Sequence, residues 1–81
     1  MAKQMVGAEA VAYRMENAFN GFSQVVANFG ECSIAQGRAV ADYYLRIKVA
    51  KMDAVLGRII VKHGAFLDYS TIREALRTVG A

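Results

Sequence analysis

The stretch from Ser33 to Gly64, SIAQGRAVADYYLRIKVAKMDAVLGRIIVKHG, decides the predicted fold of this 81-residue chain. Its apolar residues recur at intervals of three and four positions, and no proline interrupts them. This spacing is typical of an α-helix. Ser33 and Gln36 have the spacing of an N-terminal capping box, and His63 precedes Gly64 as expected at a helix C-terminus. The sequence therefore predicts one long second helix, from about Ile34 to His63, whose last carbonyls His63 would cap.

The predicted second helix is apolar along two sides, which lie on nearly opposite faces at about 100° per residue. The first side comprises Ile34, Ala41, Leu45, Val49, Met52, Leu56 and Ile59. The second side comprises Val40, Tyr43, Ile47, Ala50, Ala54, Gly57 and Val61. The first predicted helix can cover one side, and small residues make the other a groove into which a partner helix could pack. We therefore predict that the second side is a subunit interface. The alternative is that other segments of the same chain cover it.

A heptad pattern predicts the first helix, from about Ala2 to Phe29. Its apolar positions are Met5, Ala8, Ala12, Met15, Phe19, Phe22, Val26 and Phe29. The Asn20-Gly21 pair is also a hairpin-turn signal, but the apolar pattern continues in register on both sides of it, which favours one uninterrupted helix. Gly30 is the expected C-terminal stop, and the short connection after it predicts that the two long helices are antiparallel.

A short third helix is predicted from Thr71 to Val79, because Thr71 and Glu74 have capping-box spacing and Gly80 follows as a stop. Its inward residues would be Ile72, Ala75, Leu76 and Val79. For residues 1–81 as a whole we expect a single all-α domain, an antiparallel hairpin of two long helices with a short third helix. The long helices would measure about 42–45 Å, more than the roughly 30 Å diameter of a compact globule of this size. We therefore expect several chains to assemble into a larger helical bundle with coiled-coil packing.

Positive charge concentrates in the predicted second helix, which holds six of the ten Lys and Arg residues of a chain with net charge +3. Four of these residues share one lane of that helix: Lys48, Lys51, Arg58 and Lys62. A one-sided basic lane can contact phosphates, so these residues are candidates for binding nucleic acid or another polyanion. No zinc-finger, helix-turn-helix or RNA-binding aromatic motif accompanies them, and a solvated charged face is the competing interpretation.

No group of residues in the sequence forms a recognisable catalytic or metal-binding set. His63 is the only histidine and Cys32 the only cysteine, so neither a Cys–His pair nor an internal disulfide is indicated. Glu9 and Glu16 lie two turns apart without a histidine at metal-ligand spacing. We therefore expect no enzymatic activity, no cofactor and no metal site.

The sequence also predicts where the protein resides. The longest uncharged stretch, residues 17–30, covers 14 positions and includes several amides, whereas a membrane span needs about 20 mostly apolar residues. No signal-peptide pattern opens the chain. We therefore expect synthesis in the cytoplasm without a membrane span, and incorporation into a virion or another large assembly is compatible with this.

These expectations favour a small structural subunit that associates with copies of itself into an oligomer, ring or filament, such as a component of a virion or a secretion apparatus. The first alternative is a helical module that binds nucleic acid or another polyanion through the basic lane. The second is an adaptor or inhibitor whose apolar groove binds a different protein.

Overall fold

The computed structural model describes residues 7–62 and 64–80, without the side chain of Ala8. It is mostly helical and also contains a small antiparallel sheet. The elements are α1 (Gly7–Gly30), α2 (Ile34–Arg46), β1 (Ala50–Asp53), β2 (Arg58–Val61), a 3-10 helix (Gly64–Leu67) and α3 (Tyr69–Val79). The molecule is elongated, with principal extents of 43 × 23 × 19 Å.

Helix α1 is uninterrupted through the Asn20-Gly21 pair, as predicted. The predicted start at Ala2 and the apolar position Met5 lie outside the described residues. The buried face differs from the predicted heptad seam, because Ala12 and Phe29 are exposed. The buried residues of α1 are Phe22, Ser23, Val26, Ala27 and Gly30. These intervals of one, three, one and three residues describe the wider apolar stripe of a globular helix, not a coiled-coil seam.

The end of α1 shows why Gly30 is needed, and the reason differs from the prediction. The left-handed residue is Glu31, with φ of 50°, and the amide of Cys32 donates to the carbonyl of Ala27 over 3.0 Å. This is the hydrogen-bond pattern of a Schellman motif. Gly30 lies inside the helix, where an added Cβ would stand 2.5 Å from Cγ2 of Ile72. Gly30 therefore permits α3 to approach α1.

Helix α2 begins as predicted and ends far earlier. Ser33 and Gln36 form the capping box, with the Gln36 amide donating to the Ser33 hydroxyl over 3.1 Å. The helix stops at Arg46, so the predicted helix from Ile34 to His63 is wrong. His63, with its predicted capping role, lies outside the described residues.

A second Schellman motif ends α2. The amide of Val49 donates to the carbonyl of Tyr44 over 3.1 Å, and the amide of Lys48 donates to the carbonyl of Leu45 over 3.3 Å. Lys48 has φ of 65°, in the left-handed region that glycine adopts most readily. The reversal redirects the chain into a β-hairpin where the sequence pattern predicted a continued helix.

The hairpin that follows pairs Ala50 with Val61 and Asp53 with Arg58 in antiparallel register. Its four-residue loop is held by Asp53, whose carboxylate accepts hydrogen bonds from the amides of Val55 and Leu56, each over 3.0 Å. Gly57 closes the loop with φ of +65°. The consecutive β-branched residues of β2 suit a strand. The apolar residues of these two strands and their loop happen to recur at helical intervals, which explains the wrong helix prediction.

Helices α1 and α2 approach closely through small residues. Gly37 faces α1, and an added Cβ there would collide with the backbone oxygen of Ser23 and lie 2.9 Å from Cβ of Ala27. Ala41, one turn further along α2, is fully buried. Close helix packing at Gly37 and Ala41 therefore occurs within one chain.

Every major element contributes to one apolar core. Its buried members are Phe22, Val26, Val40, Ala41, Tyr44, Ala50, Ile72, Ala75 and Leu76. Helix α3 buries three of its four predicted inward residues, Ile72, Ala75 and Leu76, whereas Val79 is only partly buried. Gly80 ends the helix with φ of 73°. The helix starts at Tyr69, with Asp68 as N-cap, so the predicted capping box of Thr71 and Glu74 is wrong.

Gly37 of α2 and Gly21 of α1 provide a matched test of this packing. We expect Gly37→Ala to lower the free energy of unfolding by about 1–3 kcal/mol, because the methyl group meets the backbone of α1. Gly21 has nothing within 4 Å of an added Cβ, so Gly21→Ala should raise it by about 0.5–1 kcal/mol. Urea unfolding followed by circular dichroism measures both. Equal effects of the two substitutions would contradict the close α1–α2 contact.

Candidate functional site

The seven residues of the predicted subunit interface do not share a helix face. Val40 and Tyr43 belong to α2, Ile47 is its C-cap, Ala50 and Val61 lie on the strands, and Ala54 and Gly57 lie in the hairpin loop. Val40 and Ala50 are 0% and 3% exposed, inside the core of the chain. The prediction that these residues form one side of a helix is therefore wrong, because the helix that would carry them ends at Arg46. Ile47, at 44% exposed, is the most accessible large apolar member, and its contact with another subunit stays a prediction.

Three of the four predicted polyanion-binding residues come together on the hairpin. Lys48, Lys51 and Lys62 line one shallow depression of about 260 Å³, together with Val49, Ala50 and Ile60. Arg58 is also exposed but lines the neighbouring groove between β2 and α1. The sequence pattern predicted that the lysines share a helical lane, whereas in the structure strand pairing brings them together. We call the surface formed by Lys48, Lys51, Ile60 and Lys62 the basic hairpin face.

Strand register explains this grouping. Lys51 pairs with Ile60, and the amide of Lys62 donates to the carbonyl of Val49 over 2.7 Å, one step further along the ladder. Side chains of paired residues point to the same side of a sheet, so Lys51 and Lys62 are diagonal neighbours, roughly 7–8 Å apart at the backbone. The opposite side of the hairpin carries Ala50 and Ile59 toward the core.

The charges on the basic hairpin face are not neutralised by the acidic groups nearby. Asp53 is held in the loop, where its carboxylate accepts the two amide hydrogen bonds. Asp42 pairs with Arg46 on α2, at 3.1 Å. Within residues 7–62 and 64–80, none of the three lysines forms an ion pair with a carboxylate. The face therefore presents a local excess of positive charge beside an exposed isoleucine.

A second concave feature, which we call the Tyr44 cleft, lies between α2, the 3-10 helix and α3. It has a volume of about 230 Å³ and is lined by Tyr43, Tyr44, Ile47, Phe66, Thr71, Glu74, Ala75 and Thr78. The rings of Tyr44 and Phe66 meet edge to face, with centroids 5.8 Å apart. The sequence pattern did not predict this cleft. The adjacent tyrosines Tyr43 and Tyr44 and the isolated Phe66 were the available signals.

Tyr44 is 1% exposed, and its buried hydroxyl has no hydrogen-bond partner among the described residues. Burial, together with the nearby Tyr43 and Asp68, raises the pKa of Tyr44 to about 12. The hydroxyl therefore remains protonated at neutral pH. An unpaired buried hydroxyl costs stability, on the order of 1–3 kcal/mol.

Other kinds of site find no support among the described residues. In that part of the chain no group of three or more His, Cys, Asp or Glu side chains could hold a metal ion. No helix formed by those residues is both long enough and apolar enough to cross a bilayer. No family model, curated protein or solved structure matches the chain.

The raised pKa of Tyr44 predicts a specific loss of stability in alkali. Between pH 10 and about 12 the folded chain keeps the phenol proton of Tyr44, whereas the unfolded chain loses it. The free energy of unfolding therefore keeps its full value below pH 10 and falls as the pH rises toward about 12. The loss should amount to on the order of 2 kcal/mol. Tyr44→Phe should remove this contribution and, at neutral pH, raise the free energy of unfolding by about 1 kcal/mol.

Denaturant unfolding at a series of pH values from neutral to alkaline measures this effect. Tyr13→Phe is the matched control, because Tyr13 is 53% exposed. We expect it to keep the alkaline slope of the wild type. The same slope in Tyr44→Phe and in the wild type would show that Tyr44 does not titrate as described.

Proposed function

We propose that this protein binds nucleic acid through the basic hairpin face. The observation that carries the proposal is the convergence of Lys48, Lys51 and Lys62 around one depression on the outer side of a two-stranded ribbon. Lysine side chains bind phosphates as point charges, and a two-stranded ribbon is narrow enough to enter the DNA major groove. The exposed Ile60 lies between the lysines, where it can contact a sugar or a base. The chain as a whole is basic, with a sequence pI of about 9.3.

The backbone at Lys48 also supports this function. A residue with a side chain costs about 1–2 kcal/mol in the left-handed conformation that Lys48 adopts, and glycine would avoid that cost. Strain of this kind is often kept where a side chain has a task. Glu31 occupies the equivalent position after α1, so strain alone does not single out Lys48. The position of Lys48 beside Lys51 and Lys62 supplies the further reason.

Lys48→Gly gives a sharp test, because it removes a charge while relieving backbone strain. We expect the free energy of unfolding to stay the same or to rise by up to about 1 kcal/mol. Affinity for a short mixed-sequence DNA duplex should fall roughly three- to tenfold, and the slope of log affinity against log salt should become shallower by about one. Fluorescence anisotropy between about 50 and 200 mM salt measures both quantities.

Glu31→Gly is the matched control, since it makes the same backbone change at the end of α1. It should have a similar effect on stability and should not weaken binding. The double variant Lys51→Gln with Lys62→Gln should reduce the salt slope by about two. Absence of duplex binding by the wild type at low salt would reject the proposal, as would an unchanged affinity of Lys48→Gly.

A second candidate function is self-association into a larger helical assembly, supported by the exposed apolar residues at two separate places. Val55 and Leu56, at the hairpin tip, are 85% and 59% exposed, while Phe29 and Ile34, beside the α1–α2 turn, are 53% and 50% exposed. The hairpin loop contacts α1 at Arg14, so the two places are about 22 Å apart along α1. Two different patches can join head to tail into a ring or filament.

Size-exclusion chromatography with light scattering tests this second candidate. We expect the wild type to exceed monomer mass at micromolar concentration. The double variant Val55→Ser with Leu56→Ser should be monomeric. Its circular dichroism spectrum should match that of the wild type, because both side chains are exposed. Ile47→Ser tests the exposed member of the originally predicted interface. A monomeric wild type would rule out self-association at that concentration, and an unaltered mass of the double variant would rule out the hairpin tip.

A further inference from the structure

An apolar pocket, which we call the methionine pocket, lies between α1, the end of α2 and β1. It has a volume of about 520 Å³ and is lined by Met15, Leu45, Lys48, Ala50, Lys51 and Met52. Met15 and Met52 are half-buried, and both lysines are exposed. Among the described residues that line the pocket, four are therefore apolar and the two lysines are the only charged ones.

The acidic residues near this pocket do not neutralise the two lysines. Asp42 on α2 pairs with Arg46 over 3.1 Å. Asp53 ends β1, and its carboxylate accepts two amide hydrogen bonds within the hairpin loop. Glu16 lies about 100° around α1 from Met15, beside the pocket wall. In the part of the chain that the structure describes, neither lysine forms an ion pair, so the rim of the pocket keeps a positive charge.

These features fit a flexible apolar chain that ends in an anionic group. Methionine side chains are flexible and polarizable, so they adapt to ligands of different shapes. Lysine stems commonly lie along apolar surface while the ammonium groups remain in water, which suits a positively charged rim around an apolar interior.

The lining also disfavours ligands that are polar throughout. None of its described residues carries a hydroxyl, an amide or a carboxylate. A sugar or a nucleobase would therefore lose its hydrogen bonds to water in this pocket without replacing them. A fatty acid has one polar end only, which can stay at the rim beside the lysines. The pocket volume lies within the range of roughly 300–1,000 Å³ that is typical of small-molecule sites.

We propose that the methionine pocket binds a free medium-chain fatty acid. The carboxylate lies between the ammonium groups of Lys48 and Lys51, and the alkyl chain packs against Met15, Leu45 and Met52. This proposal does not rest on nucleic-acid binding, although the two lysines also belong to the basic hairpin face.

Octanoate is a suitable probe, with octylammonium as the analogue of opposite charge and hexanoate as the shorter chain. We expect octanoate to bind the 81-residue protein at neutral pH with a Kd of a few millimolar or below, and octylammonium to bind at least about tenfold more weakly. Burial of each methylene group should tighten binding about two- to fourfold, so hexanoate should bind roughly four- to fifteenfold more weakly than octanoate.

Two-dimensional NMR of the methyl groups locates the bound ligand. The largest shift changes should occur at Met15, Leu45, Ala50 and Met52. Equal affinity for octanoate and octylammonium would overturn the proposal, as would shift changes centred elsewhere or none at about 20 mM octanoate. Binding to anionic phospholipid vesicles without binding of octanoate would assign the surface to a membrane and also overturn it.

A pair of lysine variants separates this pocket from the basic hairpin face. Lys51→Gln should weaken octanoate binding about two- to fivefold. Lys62→Gln is the matched control, because Lys62 lines the neighbouring depression and not the methionine pocket. It should bind octanoate like the wild type. Equal losses in the two variants would contradict the proposed position of the carboxylate.

The methionines test the apolar wall. Met52→Gln should weaken octanoate binding about fivefold or more and leave the affinity for duplex DNA unchanged. Met15→Gln makes the same change from α1, and circular dichroism checks that each variant is folded. Unchanged octanoate affinity in both folded variants would reject the pocket. Octanoate binding by a protein that does not bind duplex DNA would reject the nucleic-acid proposal alone.

Discussion

The chain reverses direction at Lys48, and the positions of the hairpin and of its lysines follow from this reversal. Because Lys48 adopts a left-handed conformation and the amide of Val49 bonds back to the carbonyl of Tyr44, α2 cannot continue past Arg46. The chain then folds back as a hairpin whose inner side packs on the helices. Without this reversal, Ala50 would not reach the core and Lys51 and Lys62 would not meet on one face.

Small residues let the three helices pack closely on either side of this reversal. Gly37 lets α2 lie against the backbone of α1, and Gly30 lets α3 approach through Ile72. These contacts leave room for Tyr44 to fill the centre of the core, where it is almost fully buried. The same placement leaves its hydroxyl without a hydrogen-bond partner among the described residues. Packing, the cleft and the basic hairpin face thus follow from two close helix contacts and one chain reversal.

The sequence predicted the helical parts of the fold better than the hairpin. Local signals sufficed where they were unambiguous, as in the Ser33–Gln36 capping box and the inward residues of α3. The second long helix failed because apolar residues on two strands and a four-residue loop imitate helical spacing. The left-handed conformation of Lys48 could not be predicted, because no glycine or asparagine stands at that position. Asp53 with Gly57, followed by three β-branched residues, was the signal that could have revealed the hairpin.

The helical periodicity that predicted a shared lane for Lys48, Lys51 and Lys62 is absent from the structure. The three lysines nevertheless lie together, because the strand register of the hairpin brings them to one face.

The most direct test is NMR of the backbone between Arg46 and Val61. The structure predicts strand-like chemical shifts for β1 and β2 and cross-strand nuclear Overhauser effects between Met52 and Ile59. Continuous helical shifts from Arg46 to Val61, without those cross-strand contacts, would contradict it.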